Sequence, residues 1–281
     1  MRVMVQKFGG TCVAEPHWRN KSAERVLAAR REGFAVVAVV SAMGRAGDPY
    51  ATDTLLGLVG ESGGQADPRE TDLLVSCGEV IAVVLMSAAL RRLGVESVAF
   101  TGAQAGIITD AAFGNARIVR LETERLLAHL SQGRVAVVAG FQGVTEEGDV
   151  TTLGRGGSDI SAAALGAALG AEMVEVYKDV GGIMTADPRL VPEARMIDVI
   201  TYGELFQLAH EGAKVIHPRA VEIAMLANIP LRVRGACDDS PGTLIVRDRR
   251  LAHGWLQAFE GRVVTAVAHV PDIAQIRVVT R

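Results

Sequence analysis

Near the start of the chain, in "VQKFGGTCVAE", a lysine stands two residues before a pair of glycines, Lys7 before Gly9 and Gly10, with Phe8 between. Adjacent glycines let the backbone take positive φ and let a bulky group approach closely. A lysine beside them is a compact cation suited to phosphate. The stretch "TLGRGGSDISAAALGAALG" repeats the theme, with Gly154, Gly156, Gly157, Ser158 and Asp159 opening an alanine-rich segment. A helix that starts there turns free N–H groups and a partial positive charge toward an anion. Arg155 adds a forked cation suited to carboxylate or phosphate. The plainer reading is that Ser158 or Asp159 only caps the helix. The chain contains neither Gly-x4-Gly-Lys-Ser/Thr nor Gly-x-Gly-x-x-Gly, so neither a P-loop nor a dinucleotide fingerprint explains these turns.

Three further stretches carry charge at glycine-rich or turn positions. In "LLVSCGEVIAVV", Glu79 follows Ser76 at the spacing of a capping box, and either ties down a helix start or receives an ammonium group. In "YKDVGGIMTADPRL", Lys178 and Asp179 precede a Gly-Gly turn, followed by Met184 and Arg189. Asp-Pro there is a turn signal, and both cations could be solvated surface charges. In "EGAKVIHPRAVE", Lys214 precedes His217. No Cys, His or carboxylate lies at ligand spacing from His217, so a structural histidine is expected and no metal site. No serine or cysteine has a credible His and Asp partner, which leaves nucleophilic catalysis unsupported. Taken together, the glycine-rich strand ends and the lysines predict a bound polyphosphate.

The elements that would position these residues alternate along the chain. Strands are expected at "RVMVQ", "FAVVAVVSAMG", "VESVAFTG", "RVAVVAGFQG", "EMVEVYKDVGG", "PLRVRG" and "GTLIV". Helices are expected over Trp18 to Arg31, Thr71 to Gly94, Asn115 to Gln132, Ile160 to Leu169, Tyr202 to Gly212 and Pro218 to Ala227, with a surface loop at Glu61 to Glu70. This order predicts an α/β fold whose mostly parallel sheet has helices on both faces. Ligands on such sheets sit at the carboxyl ends of the strands, where the glycine clusters fall.

The bulk numbers exclude several classes. The chain has 281 residues, 49% of them hydrophobic, and a net charge of −3. That suffices for a sizeable core and gives no basic surface for nucleic acid or an acidic membrane. The apolar run Val80 to Leu90 is shorter than the roughly 20 residues that span a bilayer. Three cysteines, Cys12, Cys77 and Cys237, do not make a disulfide framework. A cytoplasmic protein with reduced thiols is expected.

The stretches "KFGGTCV", "VVSAMG", "LLVSCGE", "TGAQAG", "VVAGFQG", "TTLGRGGSDISAAALGAALGA", "DVGGIMTADPR", "GAKVIHPRAVE" and "PLRVR" with "PGTLI" resemble, in the same order, the aspartate kinase family. The match covers essentially the whole chain. "SAMGRAGDPYATD" is similar to the lysine- and diaminopimelate-linked aspartokinases of spore-forming bacteria. The resemblance implies the amino-acid-kinase fold, an open αβα sandwich. It implies an aspartate-binding lobe at 1–150, an ATP-binding lobe at 151–247, and a linker with the truncated start of an ACT-like regulatory domain at 248–281. It implies ATP-dependent phosphorylation of the β-carboxylate of L-aspartate to 4-phospho-L-aspartate, with Mg²⁺.

By the same resemblance, Lys7 with Phe8, Gly9 and Gly10 holds the transferring phosphoryl group, and Asp159 orients Lys7. Glu79 binds the α-ammonium of aspartate and Arg155 its α-carboxylate, with Thr52, Gly156, Gly157 and Ser158 helping. Ser41, Lys178, Asp179, Met184, Arg189 and Lys214 form the nucleotide site. Two departures stand out: Cys12 replaces the family's usual Ser or Thr, and Lys178 stands where many relatives carry a small hydroxyl residue. The expected partners are a second copy of the chain or an ACT-containing regulatory chain. With only the start of an ACT domain, at "VVTAVAHVPDIAQIRVVTR", insensitivity to lysine and threonine is expected. The rival readings are a glutamate, acetylglutamate or carbamate kinase, and a ligand-binding subunit without turnover.

Overall fold

The structure, a computed structural model, describes residues 1–61, 66–210, 216–236, 238–248 and 264–268. The first half runs β1 (Val3–Phe8), α1 (Gly10–Ala14), α2 (Pro16–Arg31), β2 (Ala35–Val40), α3 (Thr52–Glu61), α4 (Pro68–Arg92), β3 (Ser97–Phe100), β4 (Ile107–Thr109), β5 (Ile118–Leu121), α5 (Glu124–Ser131) and β6 (Val135–Ala139). It continues through β7 (Gln142–Val144), β8 (Val150–Thr152), α6 (Gly157–Ala168), β9 (Met173–Lys178), β10 (Val199–Thr201), α7 (Tyr202–His210), α8 (Pro218–Ala227), β11 (Leu231–Gly235) and β12 (Thr243–Val246).

Eight strands form one sheet in the order β10-β12-β11-β9-β1-β2-β6-β3. Every neighbouring pair is parallel except β11 with β12. The central strands "VMVQKF", "AVVAVV" and "VAVVA" are almost wholly buried, as strands covered on both faces must be. Alternate residues therefore feed two cores. Val5, Val37, Val39 and Val138 pack with Leu126 of α5, Ile160 and Leu165 of α6 and Val221 of α8. Met4, Phe8, Val36 and Val137 pack with Val26 of α2 and with Val83, Met86 and Leu90 of α4. The small residues of "AAALGAALG" let α6 lie close on the sheet: a Cβ on Gly166 would come within 2.5 Å of Val174. By length and apolarity α4 could cross a bilayer, but 56% of its most apolar window is buried inside the protein.

Several expectations need correction. The helix expected over Asn115 to Gln132 is β5 followed by α5. A small second sheet, β5-β4-β7-β8, was not anticipated, nor were α1, α3 and β10. The loop expected at Glu61 to Glu70 narrows, because Glu61 ends α3 and Pro68 begins α4; residues 62–65 lie outside the described residues. Gly9 has φ −68 and neither Gly9 nor Gly10 has positive φ. Their glycine requirement is one of space. A Cβ on Gly10 would lie 2.6 Å from the carbonyl oxygens of Ala42 and Gly44, whereas one on Gly9 would meet nothing closer than 3.5 Å.

Candidate active site

Parallel strands deliver their carboxyl ends to one place. β1 brings Lys7 and Gly10, β2 leads into Ser41, β9 ends at Lys178, and the turn after β8 carries Arg155 to Asp159 into α6. These residues, with Thr52 of α3 and Glu79 of α4, line one cleft of about 640 Å³.

The buried charges sit where β1, β9 and α6 meet. Lys7 Nζ lies 2.8 Å from Asp159 Oδ1, and Lys178 Nζ lies 3.4 Å from Asp159 Oδ2. The backbone N–H of His217 donates to the same Oδ2 at 3.4 Å. Burial alone would raise the Asp159 pKa, but Lys7 and then Lys178 outweigh it and hold the carboxyl at about 2. Burial pulls the Lys178 pKa below the usual lysine value, against the opposing attraction of Asp159. Asp159 is therefore a fixed anion that anchors both ammonium groups.

Glu79 is in a different electrostatic state. It is buried in the middle of α4, and its Oε1 accepts the Ala42 N–H at 2.9 Å. Oε2 is buried and has no hydrogen-bond partner. Burial raises the Glu79 pKa to about 8, opposed by the Ala42 N–H, its own backbone N–H and the charge of Lys7. The capping-box reading fails because α4 starts at Pro68, where Asp67 caps it through Arg69 N–H. A helix-interior carboxyl with an idle oxygen facing a cleft is set up to receive a cation.

The turn before α6 requires its glycines. Gly154 and Gly156 have φ of 77 and 74, a region that penalises any side chain. A Cβ on Gly156 would also sit 2.6 Å from the His217 ring. Phe141, which lines the cleft, holds φ 69 and receives support from Ser161, whose Oγ accepts its N–H at 3.1 Å. A bulky residue in that region is strained, and such strain concentrates at functional sites. Arg155 is exposed at the cleft and forms no ion pair among the described residues. His217 has the structural role expected of it: its Nδ1 accepts the Arg219 N–H at the start of α8.

Other anticipated residues lie apart. The Phe8 ring is fully buried and stacks on Tyr177 at 4.9 Å, so it meets the site only through its backbone. Asp179 pairs with Arg45 at the cleft mouth. Met184 and Arg189 follow β9 outside the cleft lining, and Arg189 pairs with Asp187 at 2.7 Å. Lys214 lies outside the described residues, as do Cys237 and most of 248–281.

The sequence reading missed Asp72. This buried residue of α4 accepts the Gly114 N–H at 2.9 Å, the Thr152 N–H at 2.7 Å and the Thr152 hydroxyl at 2.7 Å. It ties α4 to the end of β8, just before the glycine turn. A carboxylate at the edge of the apolar stretch that begins at Leu73 was the available signal. Among the described residues no three His, Cys, Asp or Glu side chains converge to hold a metal. The donors that do converge, two lysines, an arginine and a glycine-rich helix start, fit phosphate and carboxylate.

Residues 2–235 match the model of the amino acid kinase family. The chain is 51% identical over 278 residues to aspartokinase 1 of Bacillus subtilis, covering 99% of this chain and 68% of that one. It is 44% identical over 280 residues to the aspartokinase of Mycobacterium tuberculosis, covering 99% of this chain and 64% of the relative. The chain thus spans about two thirds of the curated relatives it matches. The aspartate kinase from Synechocystis superposes with a TM-score of 0.76 at 45% identity, over 88% of this chain and 40% of that chain. Escherichia coli aspartokinase III, solved with aspartate and ADP, superposes with a TM-score of 0.75 at 32% identity, over 88% of this chain and 65% of that chain. A UMP kinase from Bacillus anthracis shares the fold, with a TM-score of 0.63 at 18% identity over 88% of this chain and 96% of that chain.

Proposed function

Since the chain belongs to the amino acid kinase family, and within it to the aspartokinases, we propose that it transfers the γ-phosphoryl group of ATP to the β-carboxylate of L-aspartate. The products are 4-phospho-L-aspartate and ADP. A β-carboxylate oxygen forms the new bond to γ-phosphorus, and the bond to the β,γ-bridging oxygen breaks. The attacking carboxylate has an ordinary pKa of about 4, so it is ionised at neutral pH and no general base is needed.

The difficulty is that one anion must attack another. Positioning and cations that offset the developing charge supply most of the catalysis in such transfers. Lys7, held at 2.8 Å by Asp159, is the group for that task, and this buried pair at the end of β1 is the observation that carries the reading. Glu79 receives the α-ammonium of aspartate on its idle oxygen. Arg155 receives the α-carboxylate, with Thr52, Gly156, Gly157 and Ser158 completing that subsite. Ser41 and Gly10 face the nucleotide phosphates, and Lys178, Asp179, Met184, Arg189 and Lys214 belong to the nucleotide side.

Magnesium commonly binds through substrate phosphates with only one or two carboxylates, and the donor set fits an ion delivered with the nucleotide. Mg²⁺ bound to ATP would offset charge on the β- and γ-phosphates. Residues 1–150 then form the acceptor lobe and 151–247 the nucleotide lobe, with 248–281 as a linker and the start of an ACT-like regulatory domain. The enzyme works in the cytoplasm at the head of lysine, threonine, methionine and diaminopimelate synthesis, as a homodimer or with an ACT-containing partner.

An ADP-release assay with MgATP and a panel of acceptors tests this. L-aspartate alone should support turnover; equal rates with L-glutamate, N-acetylglutamate or carbamate would transfer the chain to another kinase of the family.

A further inference from the structure

We infer that Arg25 and Asp238 are positioning residues for the turn that follows β9, from Asp179 to Gly182. Their role rests on the phosphotransfer reading above, which places this turn on the nucleotide side. Arg25 fixes the loop after β11, and Asp238 on that loop holds the turn.

Arg25 belongs to α2, and its side chain is only 20% exposed. Nε donates to the Ala236 carbonyl at 3.4 Å. One terminal nitrogen donates to the Asp238 carbonyl at 2.6 Å and to Asp239 Oδ1 at 3.0 Å. A planar, permanently charged fork suits this task, because it serves several acceptors at once. The Ala236 peptide passes the constraint on. Its N–H donates to the Lys178 carbonyl at 3.2 Å, at the point where β9 gives way to the turn.

Asp238 makes the second contact. Its Oδ1 accepts the Ser240 N–H at 2.9 Å, which fixes the side chain on its own loop. Its Oδ2 then fills the space beside two glycines. A Cβ on Gly235 would lie 2.2 Å from that oxygen, and one on Gly181 would lie 2.9 Å from it. Neither glycine has positive φ, so both are needed for space and not for backbone freedom. Farther along, the Thr243 hydroxyl accepts the Ile183 N–H at 2.8 Å and would lie 2.8 Å from a Cβ on Gly182. The segment from β11 to β12 thus grips the turn along its length.

Packing does not replace this grip. A cavity of about 360 Å³ lies between the turn and the first helices, with Thr11, Cys12 and Trp18 on one side and Asp179 and Asp238 on the other. A surface that borders a cavity has no partner atoms there and gains no dispersion contacts. The position of the turn therefore depends on the polar contacts from the β11 side. Asp238 itself is exposed, so its removal should act on the turn more than on global stability.

Calorimetric titration of MgADP, steady-state kinetics and thermal unfolding test this on wild type, Asp238→Ala, Asp238→Asn, Arg25→Met and the double variant of Asp238→Ala with Arg25→Met. Asp238→Ala should bind MgADP roughly 5–10-fold more weakly and raise the KM for MgATP in proportion. Its KM for aspartate and its melting temperature should stay close to wild type. Asp238→Asn keeps the shape beside the glycines and the acceptor for Ser240, and should recover most of the affinity. Arg25→Met should show the same split between the two substrates. The double variant should be no worse than the weaker single variant, because the two residues act in series. Wild-type MgADP affinity in Asp238→Ala would overturn the proposal. So would equal losses of MgADP and aspartate affinity with a lowered melting temperature, which would leave these contacts as structure only. A wild type that binds MgADP without phosphorylating aspartate would refute the activity, while the binding comparison would still decide this inference. A wild type that binds no MgADP would overturn both.

Discussion

At the scale of the residue, the site depends on two similarly buried carboxyl groups whose neighbours push them in opposite directions. Asp159 is held ionised by two lysines. Glu79, with a single backbone donor on Oε1, is pushed to about 8. The sign of its effect on stability follows. The unfolded chain loses this proton near the ordinary value of 4.5, whereas the folded chain keeps it to about 8. Between those values the folded state binds more protons, so stability falls as pH rises from about 4.5 through 8. Urea unfolding across that range should show Glu79→Gln losing less stability with pH than wild type. When the α-ammonium of aspartate arrives, the carboxyl should ionise. Calorimetry in buffers of different ionisation enthalpy should therefore detect a proton released on aspartate binding near pH 7, absent in Glu79→Gln. For Arg155, loss of a charged hydrogen bond to the α-carboxylate predicts a KM for aspartate raised roughly 10–100-fold in Arg155→Ala; an unchanged KM would return it to the solvent.

At the scale of the element, the glycines are specific in what they require. Gly156 must be glycine twice over, by its φ of 74 and by the His217 ring 2.6 Å from a Cβ. Gly156→Ala should lower the melting temperature and abolish turnover together. Gly9 and Gly10 differ despite their adjacency. Gly10→Ala meets two carbonyl oxygens at 2.6 Å, whereas Gly9→Ala has 3.5 Å of clearance. Thermal unfolding should find the first clearly destabilised and the second within about 0.5 kcal/mol of wild type. This pair also marks where sequence reasoning stopped. "KFGG" signalled a close approach, but which glycine serves it depends on the 42–44 loop, more than thirty residues away. The segment "NARIVRLETERLLAHLSQ" reads as a helix because no glycine or proline interrupts it. Yet β-branched Ile118 and Val119 favour a strand, and α5 begins only after Thr123. Strands of three residues such as β4, β7 and β8 carry no period to detect.

At the scale of the whole molecule, one parallel sheet gathers the chemistry. The buried runs of β1, β2, β6 and β9 were legible because strands covered on both faces are predominantly apolar. With them came the carboxyl-end location of Lys7, Ser41 and Lys178. What links α4 to the far end of the site was not legible. Asp72 joins α4 to Gly114 and Thr152 through contacts 42 and 80 residues apart in sequence. Asp72→Ala would leave two backbone donors and a hydroxyl unsatisfied, at about 1–3 kcal/mol each where fully buried. Its melting temperature should fall by roughly 5–10 °C, and the turn from Gly154 to Gly157 should lose order with it. The described part of the tail is tied down as well. Val267 N–H donates to the Thr185 carbonyl at 2.9 Å, and Thr265 donates to Glu204 at 2.8 Å.

The central claim is that Lys7, held by Asp159, neutralises charge during transfer from ATP to the β-carboxylate of aspartate. The most direct measurement is the yield of aspartyl hydroxamate from MgATP and L-aspartate, in wild type and in folded Lys7→Ala. The account predicts hydroxamate from wild type and a rate lower by at least about 10²-fold in the variant. A Lys7→Ala enzyme that forms hydroxamate at the wild-type rate would contradict it.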